Sequence, residues 1–155
     1  MILRNQVIAQ SAYSSVVAIK GPENEKKERE ELLKNYATIA HKLPTMILQN
    51  GLAQATGFLL AKSAKEESVK EKAHTEMLKH LLAAFQEIDG DFKHVQNNEK
   101  FHKTIIESNL TQIMRYTREA LEIAGWLRRY VQGILKIGPD GNPLEECVKK
   151  QEVQR

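Results

Sequence analysis

Basic side chains recur along one line of the last predicted helix. Between positions 110 and 136 the sequence has five Arg or Lys residues and only two Glu residues. On an ideal α-helix, Arg118, Arg129 and Lys136 project within about 20° of one line. Arg115 flanks that line. A row of planar guanidinium groups can bind successive phosphates of a nucleic acid without reading its bases, although such a face is more often simply solvated.

Residue patterns of known catalytic and metal sites are missing from the sequence. Five histidines are present, but none belongs to an H-E-x-x-H motif and no two are four residues apart. Glu76 and His80 are four residues apart, which gives too few ligands for a closed zinc site. Asp89 begins a calcium-loop-like stretch, but Lys100 occupies the position that needs a Glu. We therefore predict a protein that is not an enzyme and holds no metal or cofactor.

The length and composition are those of an ordinary globular chain. The 155 residues suffice for one domain with a hydrophobic core, since 41% of them are hydrophobic. A net charge of +3 permits a nucleic-acid partner without demanding one. The single cysteine, Cys147, gives no disulfide framework, and we find neither a signal-peptide core nor an apolar run of membrane-spanning length. We expect a cytoplasmic protein with no membrane contact and no small-molecule substrate.

Helical spacing of apolar residues predicts the elements that position these side chains. We predict an all-α fold, a single compact bundle of five to six helices in one domain over residues 1–137. Ser108 and Asn109 offer an N-cap to the last helix, and the polar segment 92–98 is predicted to be irregular. Residues 138–155 are predicted to form a loop and a charged tail that is either a loose helix or disordered. The predicted helices cover residues 2–19, 23–43, 52–63, 65–88, 99–107 and 110–135, with one further helical turn at 45–50.

Residues 36–63, the least polar part of the chain, are predicted to form its buried hub. Pro44 has no amide hydrogen and a fixed φ, so we expect one helix to end before it and another to begin after it. Asn50 and Gly51 tolerate positive φ and predict a junction between two helices just before Leu52. The flanking residues lack the alternating pattern of a β-hairpin, which argues against the strand turn that Asn-Gly otherwise indicates.

Two stretches of the sequence carry a family pattern. The first reads Y-A, K-L-P, I, N-G-L and F between Tyr36 and Phe58, and includes Lys42, Leu43 and Pro44. The second reads Y-x-R-E-A-L and W-L-R-R between Tyr116 and Arg129. In this order, in an all-α chain of this length, the two stretches resemble the small α-helical subunit of the Cmr complex, the type III-B CRISPR RNA-guided effector. They cover the hub and the last helix, which is less than half of the chain.

The resemblance implies a non-catalytic accessory subunit in antiviral defence. Small subunits of this family stack into a filament beside the backbone subunits, which hold the guide RNA and cut the target RNA. The implied partners are other Cmr subunits, copies of the chain itself, and guide and target RNA. We predict nucleic-acid contacts at Lys42, Arg115, Arg118, Arg129 and Lys136, and structural roles for Leu43, Pro44, Asn50, Gly51, Leu52 and Trp126.

Two alternatives stay open. The chain could be a helical protein-interaction adaptor that does not touch nucleic acid. In that case Trp126, which lies off the centre of the apolar stripe, either covers the edge of the core or anchors a protein contact. The chain could also be an enzyme with an unrecognised site, which would require His74, Glu76 and His80 to meet another carboxylate in a cleft.

Overall fold

The computed structural model describes residues 3–63 and 68–144, which form six α-helices. A 3₁₀ turn at Glu23–Glu25 precedes the second helix, another at Gly90–Phe92 follows the fourth, and a π-helical turn at Val131–Leu135 follows the sixth. No β-strand occurs in the described ranges, so the predicted all-α fold is confirmed. The predicted charged tail beyond residue 144, with Cys147, lies outside the described residues. The helices are α1 (Arg4–Lys20), α2 (Lys26–Asn50), α3 (Leu52–Lys62), α4 (Val69–Ile88), α5 (Asn98–Ile106) and α6 (Leu110–Tyr130).

The core is arranged around α4, which packs against all five other helices. Its inward face includes Met77, Leu81 and Phe85, all fully buried. The predicted hub also supplies much of the core, since it contains seven of the eight buried residues of α2 and all four of α3. Because α4 contacts every other helix, the centre of the bundle lies on that helix rather than within residues 36–63.

Residues 93–97 are irregular, as predicted for the segment 92–98, but Phe92 belongs to the core. Phe92 lies in the 3₁₀ turn after α4 and is completely buried, although the segment 92–98 is polar on average. Its ring centroid lies 4.7 Å from that of Phe85 and 4.7 Å from that of Tyr116. Phe92 therefore fixes the turn between α4 and α5 against α6. The average polarity of residues 92–98 gave no indication of this buried side chain.

The predicted helix break at Pro44 is wrong, because α2 continues through Pro44 from Lys26 to Asn50. A proline inside a helix removes one hydrogen bond and crowds the preceding turn, at a cost of about 3 kcal/mol. Leu43 and Ile47 on either side of it are buried in the core. Burying each such side chain contributes roughly 1.5–3 kcal/mol, which offsets the cost of the proline and keeps the helix continuous.

The predicted junction at Asn50 and Gly51 is confirmed. Asn50 is the last residue of α2, and Gly51 has φ 84°, in the left-handed region that glycine tolerates best. The Gly51 N–H donates to the Ile47 carbonyl at 2.9 Å, and the Gly51 carbonyl accepts from the Ala55 N–H at 3.1 Å. Gly51 thus ends α2 and starts α3, and Leu52 directly after it is buried in the core.

Side-chain caps begin the last three helices. Ser68 accepts a hydrogen bond from the Glu71 amide, and Asn97 accepts one from the Lys100 amide at 2.9 Å. Asn109 accepts from the Gln112 amide at 2.9 Å, which confirms the predicted N-cap of α6. Such caps satisfy amide groups that have no partner within the helix, and they fix where each helix starts.

Candidate nucleic-acid interface

The outward face of α6 presents two predicted arginines to solvent. The opposite face of this helix is buried in the core through Tyr116, Ala120 and Leu127, among others. Arg118 and Arg129 are both exposed, and neither forms an ion pair with a residue that the structure describes. They are 11 residues apart, so they lie on the same side of the helix, separated by about 16 Å along its axis.

Arg129 packs on a row of aromatic rings, formed by Trp126, Tyr130 and Tyr13, that connects α6 to α1. Its guanidinium carbon lies 5.3 Å from the centroid of the Trp126 ring, in a cation–π arrangement. The Trp126 ring stacks on Tyr130 at 5.7 Å with an angle of 26°, and its indole N–H donates to Asn5 of α1 at 3.2 Å. Trp126 therefore packs at the edge of the core between two helices, while contact with a partner protein stays a prediction.

Arg115 faces carboxylates within the protein. Its Nε donates to Asp89 Oδ2 at 3.0 Å, and its Nη2 pairs with the carboxylate of Asp91. The Asp91 carboxylate also accepts from the Tyr116 hydroxyl at 2.6 Å. These bonds hold the turn after α4 against α6. These carboxylates neutralise the charge of Arg115, whose side chain is 40% exposed, so its predicted nucleic-acid contact stays a prediction that the local charge does not favour.

A buried carboxyl group sits behind Arg115. The side chain of Glu119 is only 2% exposed, and its Oε1 lies 3.2 Å from Arg4 Nη2. Burial, together with the neighbouring carboxylate of Asp89, raises the pKa of Glu119 to about 7. Oε2 of Glu119 is buried with no hydrogen-bond partner within the described residues, and a proton on it would allow a bond to Asp89. Burial alone would raise the pKa of Asp89, but the bond that protonated Glu119 can donate, together with those from the Asp91 amide and Arg115, lowers it.

The two predicted lysines lie on other parts of the bundle. Lys42 is exposed on α2. Lys136 is also exposed and has a left-handed backbone with φ 57°, directly after the π-helical turn. Its predicted alignment with the arginines assumed an α-helix up to residue 135 and does not apply beyond the π-helical turn. His41 Nε2 lies 3.0 Å from the Ile137 carbonyl. Because His41 precedes Lys42 and Ile137 follows Lys136, this contact places the backbones of the two lysines close together.

The arrangement that the enzyme alternative requires is not formed by the described residues. His80 and Glu76 face a cavity of about 600 Å³ between α1, α2 and α4, with Nε2 to Oε2 at 3.4 Å. Burial lowers the pKa of His80 to about 4, so its neutral ring accepts a hydrogen bond from Tyr36 at 2.6 Å. His74 instead packs on Phe58, with ring centroids 5.9 Å apart.

Two further absences hold within the described ranges. The carboxylates and histidines of residues 3–63 and 68–144 form no group of three that could hold a metal ion. In the same ranges no helix combines the length and the apolar character needed to cross a membrane.

Sequence reasoning missed two exposed side chains near the predicted face, Arg128 and Tyr13, and the half-buried Tyr130. Arg128 lies next to Arg129 and is exposed. Tyr13 of α1 is 52% exposed and meets Tyr130 edge to face, with ring centroids 5.6 Å apart. The two tyrosines are far apart in the sequence, so no local signal indicates that they meet at the surface.

Comparisons with known proteins agree with this architecture. A family described as CRISPR-associated protein (Cas_Cmr5) matches residues 4–134, which include all six helices. A protein of Thermus thermophilus named CRISPR system Cmr subunit Cmr5 is 31% identical over 137 residues, which cover 88% of this chain and 99% of the relative. A crystal structure of a CRISPR-associated Cmr5 family protein, also from Thermus thermophilus, matches with a TM-score of 0.62 and 26% identity. That match covers 86% of this chain and 98% of the solved one.

Proposed function

The chain belongs to the Cmr5 family, the small subunits of the type III-B CRISPR Cmr complex, and from this premise we propose how it serves that complex. It is a non-catalytic subunit that stacks with its own copies into a filament and helps to hold guide and target RNA. The outward face of α6 carries the proposal, because Arg118 and Arg129 project there without an acidic partner among the described residues.

The physical argument for RNA contact starts from the rigidity of α6. One face of the helix is buried along its length, so the Cα positions of the residues on the opposite face are fixed relative to one another. A guanidinium group is permanently charged and binds phosphate oxygens through two parallel hydrogen bonds. Two such groups about 16 Å apart on a rigid helix suit a phosphate backbone and carry no base preference.

Exposed apolar side chains support contact with other protein subunits. Ile106 at the end of α5 is 57% exposed, and Leu110 and Met114 in the first turns of α6 are 74% and 63% exposed. Leu110 and Met114 are four residues apart and share one side of the helix. Neighbouring exposed apolar groups mark protein contact sites, and methionine adapts well to such surfaces. We assign this corner of the bundle to the contact between stacked copies.

The decisive measurement is the affinity of the full chain for single- and double-stranded RNA over a salt series, alone and with the backbone Cmr subunits. Arg118→Glu/Arg129→Glu should weaken binding and lower the slope of log K against log salt by about 1.4, since each single-strand phosphate contact contributes about 0.7. Lys26→Glu/Lys27→Glu, which reverses two exposed lysines on α2, is the matched control for total charge. An unchanged slope in the arginine variant, alone and in the complex, would refute RNA contact through α6.

The adaptor alternative makes the opposite prediction. If the arginine variant binds RNA and assembles as the wild type does, while Leu110→Glu/Met114→Glu blocks assembly, the chain acts through protein contacts alone. The exposed apolar corner is the observation that favours this second function.

A further inference from the structure

We propose that a shallow groove between α1 and the end of α6 takes an unpaired base of single-stranded RNA, stacked on the ring of Tyr13 and bounded by Tyr130. The inference deepens the proposed RNA-holding function and depends on it. The groove has a volume of about 410 Å³. Its lining residues are Gln6, Ala9, Gln10, Tyr13, Ser14 and Tyr130.

The aromatic side chains are held ready for stacking. Tyr130 stacks on Trp126 at one end of the row and meets Tyr13 edge to face at the other. Trp126 is fixed in turn by its hydrogen bond to Asn5. Tyr13 is 52% exposed, so its ring surface is available to a flat partner. Preorganised aromatic rings bind bases with little loss of side-chain freedom and tolerate any base, because every base has a π-face.

The lining favours a nucleobase over an aliphatic or charged ligand. Among the described residues that line the groove, none is charged and only Ala9 is aliphatic. Gln10 is exposed, so its amide can donate to or accept from the polar edge of a base. An aliphatic protein segment would find little matching surface here, whereas a flat polar heterocycle finds rings and an amide.

Positive charge lies where the phosphates of that strand would run. Arg129 packs on Trp126 at the other end of the row, and Arg128 is exposed next to it. A strand with one base in the groove would have its backbone beside these arginines and could continue toward Arg118. Only an unpaired base can leave its neighbours and stack on protein rings, so the ligand is single-stranded RNA and not a duplex.

The test compares Tyr13→Leu with Tyr13→Phe in the full chain. The probes are a short oligouridine and the same oligomer with abasic residues. Tyr13→Leu keeps apolar volume but removes the ring, and should weaken oligouridine binding by at least about 5-fold. It should leave the salt slope and the affinity for the abasic oligomer unchanged, because the phosphate contacts remain. Tyr13→Phe keeps the ring and should bind as the wild type does.

A second measurement works in the assembled Cmr complex. RNA that carries 5-iodouridine, which cross-links to nearby aromatic side chains on irradiation, should label a peptide containing Tyr13 or Tyr130. Labelling that is confined to other peptides would overturn the groove assignment.

The remaining outcomes separate the groove from the proposed function. If Tyr13→Leu binds oligouridine as tightly as the wild type while Arg118→Glu/Arg129→Glu lowers the salt slope, the groove is excluded and the α6 face stands. If Tyr13→Leu loses subunit assembly but keeps RNA affinity, the surface is a protein contact and the inference is wrong. Absence of RNA binding by the wild type, alone and in the complex, removes both proposals.

Discussion

Arginine serves two different purposes on α6. Arg115 is bound to the carboxylates of Asp89 and Asp91, which lie on the turn after α4. Arg118 and Arg129 face solvent and have no acidic partner among the described residues. All three belong to the same basic stretch of sequence, so the difference comes from where the turn after α4 packs. An arginine beside that turn stabilises the fold, and an arginine away from it remains available to a ligand.

The largest expected effect on the free energy of unfolding tests whether Phe92 holds the turn after α4 in place. Phe92→Ala should lower the free energy of unfolding by about 3–5 kcal/mol, because it leaves a cavity between Phe85, Phe101 and Tyr116. Urea unfolding measures this loss. Phe58→Ala is the control, since Phe58 is 42% exposed, and it should cost under about 1 kcal/mol. Equal losses for the two variants would show that Phe92 does not hold the turn.

The next effect concerns Arg115 itself. Arg115→Met leaves the buried carboxylate of Asp89 without its cation and should lower the free energy of unfolding by about 2 kcal/mol. This is less than the roughly 3–5 kcal/mol for a fully buried pair, because the Arg115 side chain is 40% exposed and solvent screens the pair. Arg118→Met should change stability by less than about 0.5 kcal/mol.

The same variant also decides the predicted nucleic-acid role of Arg115. If the carboxylates keep Arg115 from RNA, folded Arg115→Met should retain the wild-type salt slope for RNA binding. A slope lowered as much as in an Arg118 variant would instead place Arg115 in the RNA-binding surface and remove the distinction between Arg115 and the solvent-facing arginines.

A pH effect of intermediate size follows from Glu119. Its pKa is raised by burial from 4.5 to about 7, so between these values the folded state binds more protons than the unfolded state. Glu119 should therefore contribute roughly 1–3 kcal/mol of stability that is lost as pH rises through this window. The pKa of His80, lowered from 6.5 to about 4, acts in the opposite sense up to about pH 6.5, and the lowered pKa of Asp89 does so at more acidic pH. Because the contributions of Glu119 and His80 partly cancel, urea midpoints at about pH 5 and about pH 8 are compared between the wild type and Glu119→Gln.

Glu119→Gln gives the matched test of that assignment. The amide keeps the shape of the protonated acid and cannot ionise, so the stability of the variant should rise relative to that of the wild type as pH increases across this window. Glu122→Gln, on the exposed face, should keep the wild-type pH dependence. A wild-type pH dependence in Glu119→Gln would mean that another group titrates.

Local signals predicted helix ends better than they predicted partners. Gly51 and Asn109 each act through bonds to residues within four positions, so the sequence contains the whole interaction. The continuity of α2 at Pro44 depends instead on burial against other helices, which local propensity does not describe. Arg115 and Asp89 are separated by 26 positions, and no periodic pattern connects them. The free arginines could be predicted from helix phase, whereas the neutralised one required the tertiary structure.

The smallest effect on stability is expected for Arg118 and Arg129, the residues for which the largest effect on RNA binding is proposed. Arg118→Glu/Arg129→Glu should change the free energy of unfolding by at most about 1 kcal/mol, most of it from the exposed cation–π contact of Arg129 with Trp126. The same variant should lose RNA affinity, which thermal unfolding and RNA titration on one sample can compare. Arg129→Gln alone should account for most of the stability change and Arg118→Gln for almost none. A double variant that unfolds would mean that exposed arginines on α6 also support the fold, and the distinction between its two surfaces would then fail.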